Sequence, residues 1–420
     1  MAKNFHDIVI QYNNRFPDFG IDISNFEFDK NLRTIIVIPC FKEPDILQTL
    51  QSLYDCNTPK YPTLVLIFVN ASEDALDEVK IFNKTTFETI KYFIEQNPKE
   101  NLQFEVFLDN ELTAKHAGVG TARKTLMDTA LKIFDKNETD GIIVNTDSDC
   151  FFTPNYINSI ENAFEDESLE LAVMHYEHRI ETEKDKVLAK GITEYELHLR
   201  YYKQALEWTE YPNVLETIGS CMVCLASVYA LEGGMNKRKA GEDFYFINKL
   251  AKSRKATTII EATVLPSCRT SDRVPFGTGK AMNDYVDKET KMFQSYDIEC
   301  FISLKQFLEQ IEVLYEKGFE ALELDATGKA FLIKIEIQKN LEEIKKQSNN
   351  FERFKSRFFY WFDHLKALQF IHYYTEHLFP KVNIDQAAIE FLRFKSDSSN
   401  FENSFEILTR YRENEKKLQL

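Results

Sequence analysis

Two carboxylates spaced two apart, Asp147 and Asp149, directly follow the short apolar run Ile142-Ile-Val144 and the polar pair Asn145-Thr146. Such a run reads as a buried strand, and ligands gather where parallel strands end. Backbone that turns there can aim both side chains at one point outside the sheet. Clustered hard oxygen donors suit Mg²⁺ or Mn²⁺, which bind one or two carboxylates and leave their other positions to water and phosphate. The segment therefore has the chemistry of a metal–diphosphate site. Asp-Ser-Asp is also ordinary turn chemistry, so its context must decide.

A second acidic pair, Glu242-Asp243, precedes the helix expected over Phe244 to Lys252. The helix dipole favours acids at that end, which is a structural reason for the pair beside any catalytic one. Two segments supply positive charge that could meet a ligand. Lys115-His-Ala-Gly-Val-Gly-Thr-Ala-Arg-Lys124 opens a helix running to Phe134, and its Gly118 and Gly120 would let backbone approach a ligand. No G-K-[ST] follows, so this is not a P-loop, and a GxG is often only tight helix packing. The second is the segment 266–280, punctuated by glycine and proline and carrying Arg269 and Arg273, with the length of a binding loop. His175 and His178 lie near a strand end, which makes them candidates for a further metal ligand by proximity alone; satisfied structural histidines are the better reading. Cys221-Met-Val-Cys224 has redox-motif spacing but sits among small and apolar residues without a second pair, so buried thiols are the better reading.

The elements that must position these residues alternate. Strands are expected at Thr34–Pro39, Tyr61–Val69, Phe104–Leu108, Ile142–Val144 and Leu171–Tyr176. Helices are expected after Asp45, over 74–96, from the Lys115–Lys124 segment to Phe134, after Pro154 and over Thr193–Trp208. Alternation of this kind implies right-handed crossovers and a mostly parallel sheet. From about residue 286 glycine and proline become rare and apolar residues recur every three or four positions. Phe351, Phe354, Phe358, Trp361, Leu365 and Leu368 make one heptad-like stripe. Its ordinary use is packing against the catalytic domain or a second subunit, a homodimer through these helices. A membrane-surface or acceptor-gripping face is the other use. The domain division read here is a helical lead-in over 1–30, a catalytic domain over 31–285 and a C-terminal helical region over 286–420.

Composition narrows the class. The chain of 420 residues is 44% hydrophobic, ample for a core, and its net charge of −16 excludes a general nucleic-acid binder, whose footprint would be basic. An anionic substrate would need a metal or a local basic patch. Seven cysteines, an odd number, fit reduced thiols and a cytoplasmic setting. The first residues lack the basic and apolar regions of a signal peptide, and no apolar run approaches the ~18 residues of a membrane span, which leaves peripheral contact at the inner membrane face.

Taken together, the stations over residues 33–280 resemble family 2 glycosyltransferases of the GT-A fold. The resemblance rests on four motifs in order: IIVIPCFKEPD, AGVGTARKTLMDTAL, Asp147-Ser-Asp149 and Gly241-Glu-Asp243-Phe. It implies a GT-A nucleotide-diphospho-sugar transferase fold, with sugar transfer from a nucleotide-diphosphate sugar to the hydroxyl of a glycan or lipid-linked acceptor. Inversion, Mg²⁺ or Mn²⁺, and a part in cell-surface polysaccharide or glycolipid synthesis go with it. By the same resemblance Asp149 ligates the metal, and Asp147 touches the ribose or a metal-bound water. Asp243 is the base, with Glu242 orienting it or meeting the acceptor. Pro39, Phe41 and Glu43 line the nucleotide, with Ser148 beside it. Gly219 and Ser220 line the donor sugar. Lys115, Gly118, Arg123, Arg269 and Arg273 meet the phosphates. Where the family often has Asp-Asp-Gly-Ser after the second strand, this chain has Asn70-Ala-Ser-Glu-Asp74, which leaves Asn70 and Asp109 for the base. A retaining GT-A transferase and a catalytically silent nucleotide-sugar-binding or scaffold protein stay open as alternatives. A nucleotidyltransferase would need a glycine-rich, Arg/Lys-terminated loop after the first strand, and none is present.

Overall fold

The computed structural model describes residues 4–238, 241–270, 277–287 and 292–417. The chain forms two compact units. The first takes Met1–Arg179, Leu215–Ser267 and Asp272–Lys280; the second takes Ile180–Val214, Cys268–Ser271 and Ala281–Leu420.

In chain order the first unit runs α1 (Phe5–Arg15), β1 (Thr34–Cys40), α2 (Ile46–Tyr54), β2 (Thr63–Ser72), α3 (Asp77–Gln96), β3 (Leu102–Leu112), α4 (Val119–Lys136), β4 (Ile142–Asn145), β5 (Phe151–Phe152), α5 (Tyr156–Ala163) and β6 (Leu171–Tyr176). The long helix α6 (Lys186–Trp208) belongs to the second unit. The first resumes with β7 (Met222–Leu225), α7 (Ala226–Leu231), α8 (Glu242–Ala251) and β8 (Ala256–Leu265).

The eight strands form one sheet in the order β3-β2-β1-β4-β7-β6-β8-β5. β1, β2, β3 and β4 are mutually parallel, joined through helices, and every residue of β1 and β4 is buried. The sheet is mixed: β6 also pairs parallel with β8, while β7 runs antiparallel to both β4 and β6, and β5 to β8. This α/β architecture, a sheet joined through helices with further helices after it, agrees with the expected α/β class.

The strand directions decide what can meet. Parallel pairing puts the carboxyl ends of β1, β2 and β4 at one edge. Val144 pairs with Val223 of the reversed β7. The start of β7, and the Gly219-Ser220 turn just before it, therefore reach the edge where β4 releases Asp147. Beneath it, Leu126, Met127, Ala130 and Phe134 of α4 pack with Ile35 and Val37 of β1, Ile143 of β4 and Phe246 of α8 in one apolar cluster.

The second unit is helical: α6, the part of α9 (Thr278–Asp287) from Ala281, then α10 (Ile298–Leu308), α11 (Ile311–Glu316), α12 (Ala326–Lys334), α13 (Ile337–Lys346), α14 (Phe351–Trp361), α15 (His364–His377), α16 (Ile384–Phe394) and α17 (Ser404–Lys417). A two-stranded pair, β9 (Gln294–Ser295) with β10 (Val382–Asn383), accompanies them. The sequence reading runs one domain continuously to 285, whereas Ile180–Val214 clusters with these helices. Leu197, Tyr201 and Leu206 of α6 share one apolar core with these helices. Buried charge adds to it: Glu196 on α6 accepts from Arg412 Nε and Nη2 on α17, each at 2.8 Å, and Arg200 pairs with Glu415.

Candidate active site

Arg123 lies in the first turns of α4, and its guanidinium forks between two acids that are far apart in sequence. Nη2 donates to Asp147 in the loop after β4, and Nη1 donates to Glu242 at the start of α8. A guanidinium is a rigid planar fork, so its two acceptors can stand no more than about 8 Å from each other. Asp147 and Glu242 thus belong to one site. Arg123 and Glu242 are buried, while the Asp147 side chain keeps 37% of its surface. Asp149 and Asp243 are both half-buried, so the cluster is not sealed.

Each member has a local cause. β4 ends after four residues, and the Thr146 amide still donates to the Val37 carbonyl of β1, which holds the following loop against the sheet edge. The Ser148 carbonyl accepts from Thr49 Oγ1 of α2 at 3.0 Å, pinning the middle of the DSD triplet. Gly241, with φ +69°, occupies the left-handed region that favours glycine and turns the chain into α8. Glu242 and Asp243 then form the first helical turn, and the Phe244 amide donates to Asp243 Oδ1 at 2.7 Å.

Gly219 is the seat of the arginine. A Cβ built on it would overlap Nη2, Nη1 and Cζ of Arg123, so the guanidinium lies directly on its backbone. Gly120 is occupied in a similar way, packed against the carbonyl oxygens of Arg238 and Asn236. Its missing side chain admits backbone, which is the tight-packing use of a glycine.

Electrostatics separate the acids. Burial and the neighbouring Glu242 carboxylate push Asp243 up to about 6, against the opposing pull of Arg123. Burial works against the charge on Arg123, but Asp147, Glu242 and Asp243 outweigh it and raise its affinity for the proton. Arg123 Nε is buried with no hydrogen-bond partner among the described residues. Among the described residues no group of three His, Cys, Asp or Glu is placed to hold a metal. Asp147 and Asp149 remain as the carboxylate pair, a donor set suited to Mg²⁺ or Mn²⁺ completed by phosphate and water.

The other sequence-predicted residues fall in different surroundings. Arg123, read as phosphate charge, has both ends of its fork on carboxylates. Pro39 is buried in β1, Phe41 is half-buried just beyond it, and the buried Glu43 accepts from the Asp45 amide at 2.9 Å. Asn70, assigned to the base, is 5% exposed, and its Nδ2 donates to the Cys40 and Phe68 carbonyls. Asp109 pairs in register with Asn70 and accepts from the Glu111 amide at 2.8 Å. Lys115 is exposed and Gly118 caps α4. Ser220 is buried. His175 bonds Glu177 at 2.9 Å, and His178 packs edge-on to Tyr176. Arg269 belongs to the second unit, and Arg273 lies outside the described residues. Cys221 and Cys224 are buried thiols outside any disulfide.

One residue was not foreseen. Asn83, fully buried on α3, accepts from the Lys42 amide at 3.1 Å and donates to the Asn70 carbonyl at 2.9 Å and to Asn110 Oδ1 at 3.1 Å. It ties the loop after β1 to the ends of β2 and β3. Its signal was a polar residue in helical register with Thr86 and Ile90 on the buried face of α3.

No family model and no curated protein matches the chain. Among solved structures, S. aureus TarS 1–349 in complex with UDP-GlcNAc aligns at 13% identity with a TM-score of 0.38, covering 92% of this chain and 92% of that one. The same protein in complex with UDP aligns at 10% identity and 0.38, covering 88% and 94%. A longer form of S. aureus TarS aligns at 10% and 0.36, covering 77% of this chain and 50% of that one. Overlap below a TM-score of 0.5 is too slight to carry any assignment, and the site stands on its own geometry.

Proposed function

We propose that this chain is a glycosyltransferase that moves a sugar from a nucleotide-diphosphate sugar to an acceptor hydroxyl with inversion at the anomeric carbon. One observation supports this above the others: Arg123 brings the acidic loop at the end of β4 and the acidic start of α8 into one site. A displacement needs charge stabilisation on the leaving side and a base on the attacking side. Two acidic groups at one site, differing in environment, meet both needs.

Asp149 and Asp147 would hold Mg²⁺ or Mn²⁺, with Asp149 as the first direct ligand and Asp147 sharing its charge with Arg123. When bound, such an ion supplies Lewis-acid stabilisation to the leaving diphosphate. Asp243 is the base. Its carboxylate, pushed up to about 6, is a stronger proton acceptor than an ordinary aspartate yet is still ionised at neutral pH. Glu242, fixed by Arg123, orients the start of α8. The acceptor in this reading is a glycan or lipid-linked hydroxyl. No described helix is long and apolar enough to cross a membrane.

A panel of UDP-, GDP- and dTDP-sugars with Mn²⁺, followed by thermal shift and then by turnover, tests the reading. Asp243→Asn is expected to lower transfer at least a hundredfold while donor affinity changes less than about threefold. Equal loss of donor binding would remove Asp243 from the base role. Asp149→Ala is expected to abolish metal-dependent nucleotide binding in calorimetry with and without Mn²⁺. Product of retained configuration would overturn the inverting assignment.

A further inference from the structure

We propose that Arg123 is a positioning residue rather than a phosphate ligand: one guanidinium, seated on Gly219, fixes the loop that carries Asp149 relative to the helix end that carries Asp243. This rests on the transferase reading above and deepens it by naming what holds the two halves of the site in register.

Three observations carry the inference. The first is occupancy, since Nη1 and Nη2 are both taken by carboxylates, Glu242 and Asp147. A bidentate grip on phosphate needs the same fork. The second is burial: Arg123 is 3% exposed, and its Nε lies in the interior without a hydrogen bond among the described residues. A buried ion group with an unmet donor is a poor way to gain stability, because desolvation offsets most of the attraction. The third is the seat. Gly219 is buried, and any side chain there would overlap the guanidinium, so the chain has left room for the arginine to lie flat on its backbone.

Reach alone would not need this arrangement. Asp147 lies 24 residues from Arg123 and Glu242 lies 119 residues from it, on separate elements that share no backbone ladder with α4. A planar fork fixes both distance and angle between its acceptors, whereas an ammonium is a point charge that fixes neither. Because misplacing reacting groups by about 1 Å can cost ~100-fold in rate, such a brace acts on turnover more than on donor affinity.

The test is steady-state donor hydrolysis by the full chain, using whichever of the UDP-, GDP- or dTDP-sugars the wild type turns over with Mn²⁺. Arg123→Lys keeps the charge and loses the fork; it is expected to lower kcat about 100-fold with donor KM within about threefold. Gly219→Ala keeps the arginine but displaces it, and the same split is expected. If Arg123→Met fails to fold because Glu242 is left buried without a cation, Arg123→Met with Glu242→Gln removes both charges and should fold, still with low kcat and near-normal KM. A donor KM raised tenfold or more with kcat retained would make Arg123 a phosphate ligand and overturn the proposal. So would a kcat for Arg123→Lys within threefold of wild type. Absence of wild-type turnover with every donor would overturn the transferase reading and this inference with it.

Discussion

Asp243 and Glu242 are neighbours in sequence and opposites in circumstance. Glu242 is buried against Arg123, while Asp243 is half-buried and pushed up to about 6 by burial and by Glu242 itself. With Asp243 as base, kcat/KM should fall as the pH drops through about 6, approaching tenfold per unit below it, since the protonated acid cannot accept a proton. A rate profile that is flat down to pH 4.5 would rule this out. The same shift has a sign for stability. A carboxyl raised from 3.8 binds its proton more tightly in the native state, so its stabilising contribution is present at low pH and is lost as pH rises through about 6. Asp243→Asn should therefore raise stability at pH 8 by about 1–2 kcal/mol, after allowance for partial exposure, and change it little at pH 4. Urea denaturation at the two pH values checks this. At this scale the chemistry-bearing types were legible in sequence, because acids after an apolar run and acids before a helical one stand out. The partner of each was not. Nothing local distinguishes an arginine that faces a phosphate from one that faces two carboxylates.

Elements were legible wherever periodicity and punctuation agreed. Leu171–Tyr176 is a strand as expected, and α3 ends at Gln96 as the pattern required. The aromatic stripe from Phe351 to Leu368 shows the opposite case. It divides into α14 and α15, with Asp363 between them accepting from the Lys366 amide at 3.1 Å as an N-cap. Phe354 and Phe358 are buried, but beyond the break Ala367, Phe370 and Ile371 take the inward positions, and Leu365 and Leu368 are only half-buried. A cap resets the phase of a helix, and heptad counting across it misplaces every later residue. Asp363→Ala is expected to cost about 1 kcal/mol, read as a lower urea midpoint with unchanged slope. No measurable loss would show that the tertiary packing of Phe362 alone sets the break.

At the scale of the whole molecule, the second unit is built from segments that are discontinuous in sequence, joined by one apolar core and by a buried ion group on α6 and α17. Glu196 and Arg200 are fully buried, and Arg412 and Glu415 nearly so. Glu196→Gln leaves two arginines short of a charge in the interior. The expected cost is about 3–5 kcal/mol in chemical denaturation, against less than about 1 kcal/mol for a surface pair. A small loss would mean that the apolar cluster around Tyr201, Phe391 and Tyr411 holds these helices without help from charge. The sequence by itself determined β1 to β4 and β6 and the two acidic motifs, because each follows from neighbours within a few residues; β5, β7 and β8 it did not mark. Only the tertiary structure decided that β7 runs reversed, that Gly219 seats Arg123, and that residues 180–214 pack with helices more than a hundred residues later. Those outcomes depend on pairings between distant segments, and a buried charge names its partner only when the chain has closed around it.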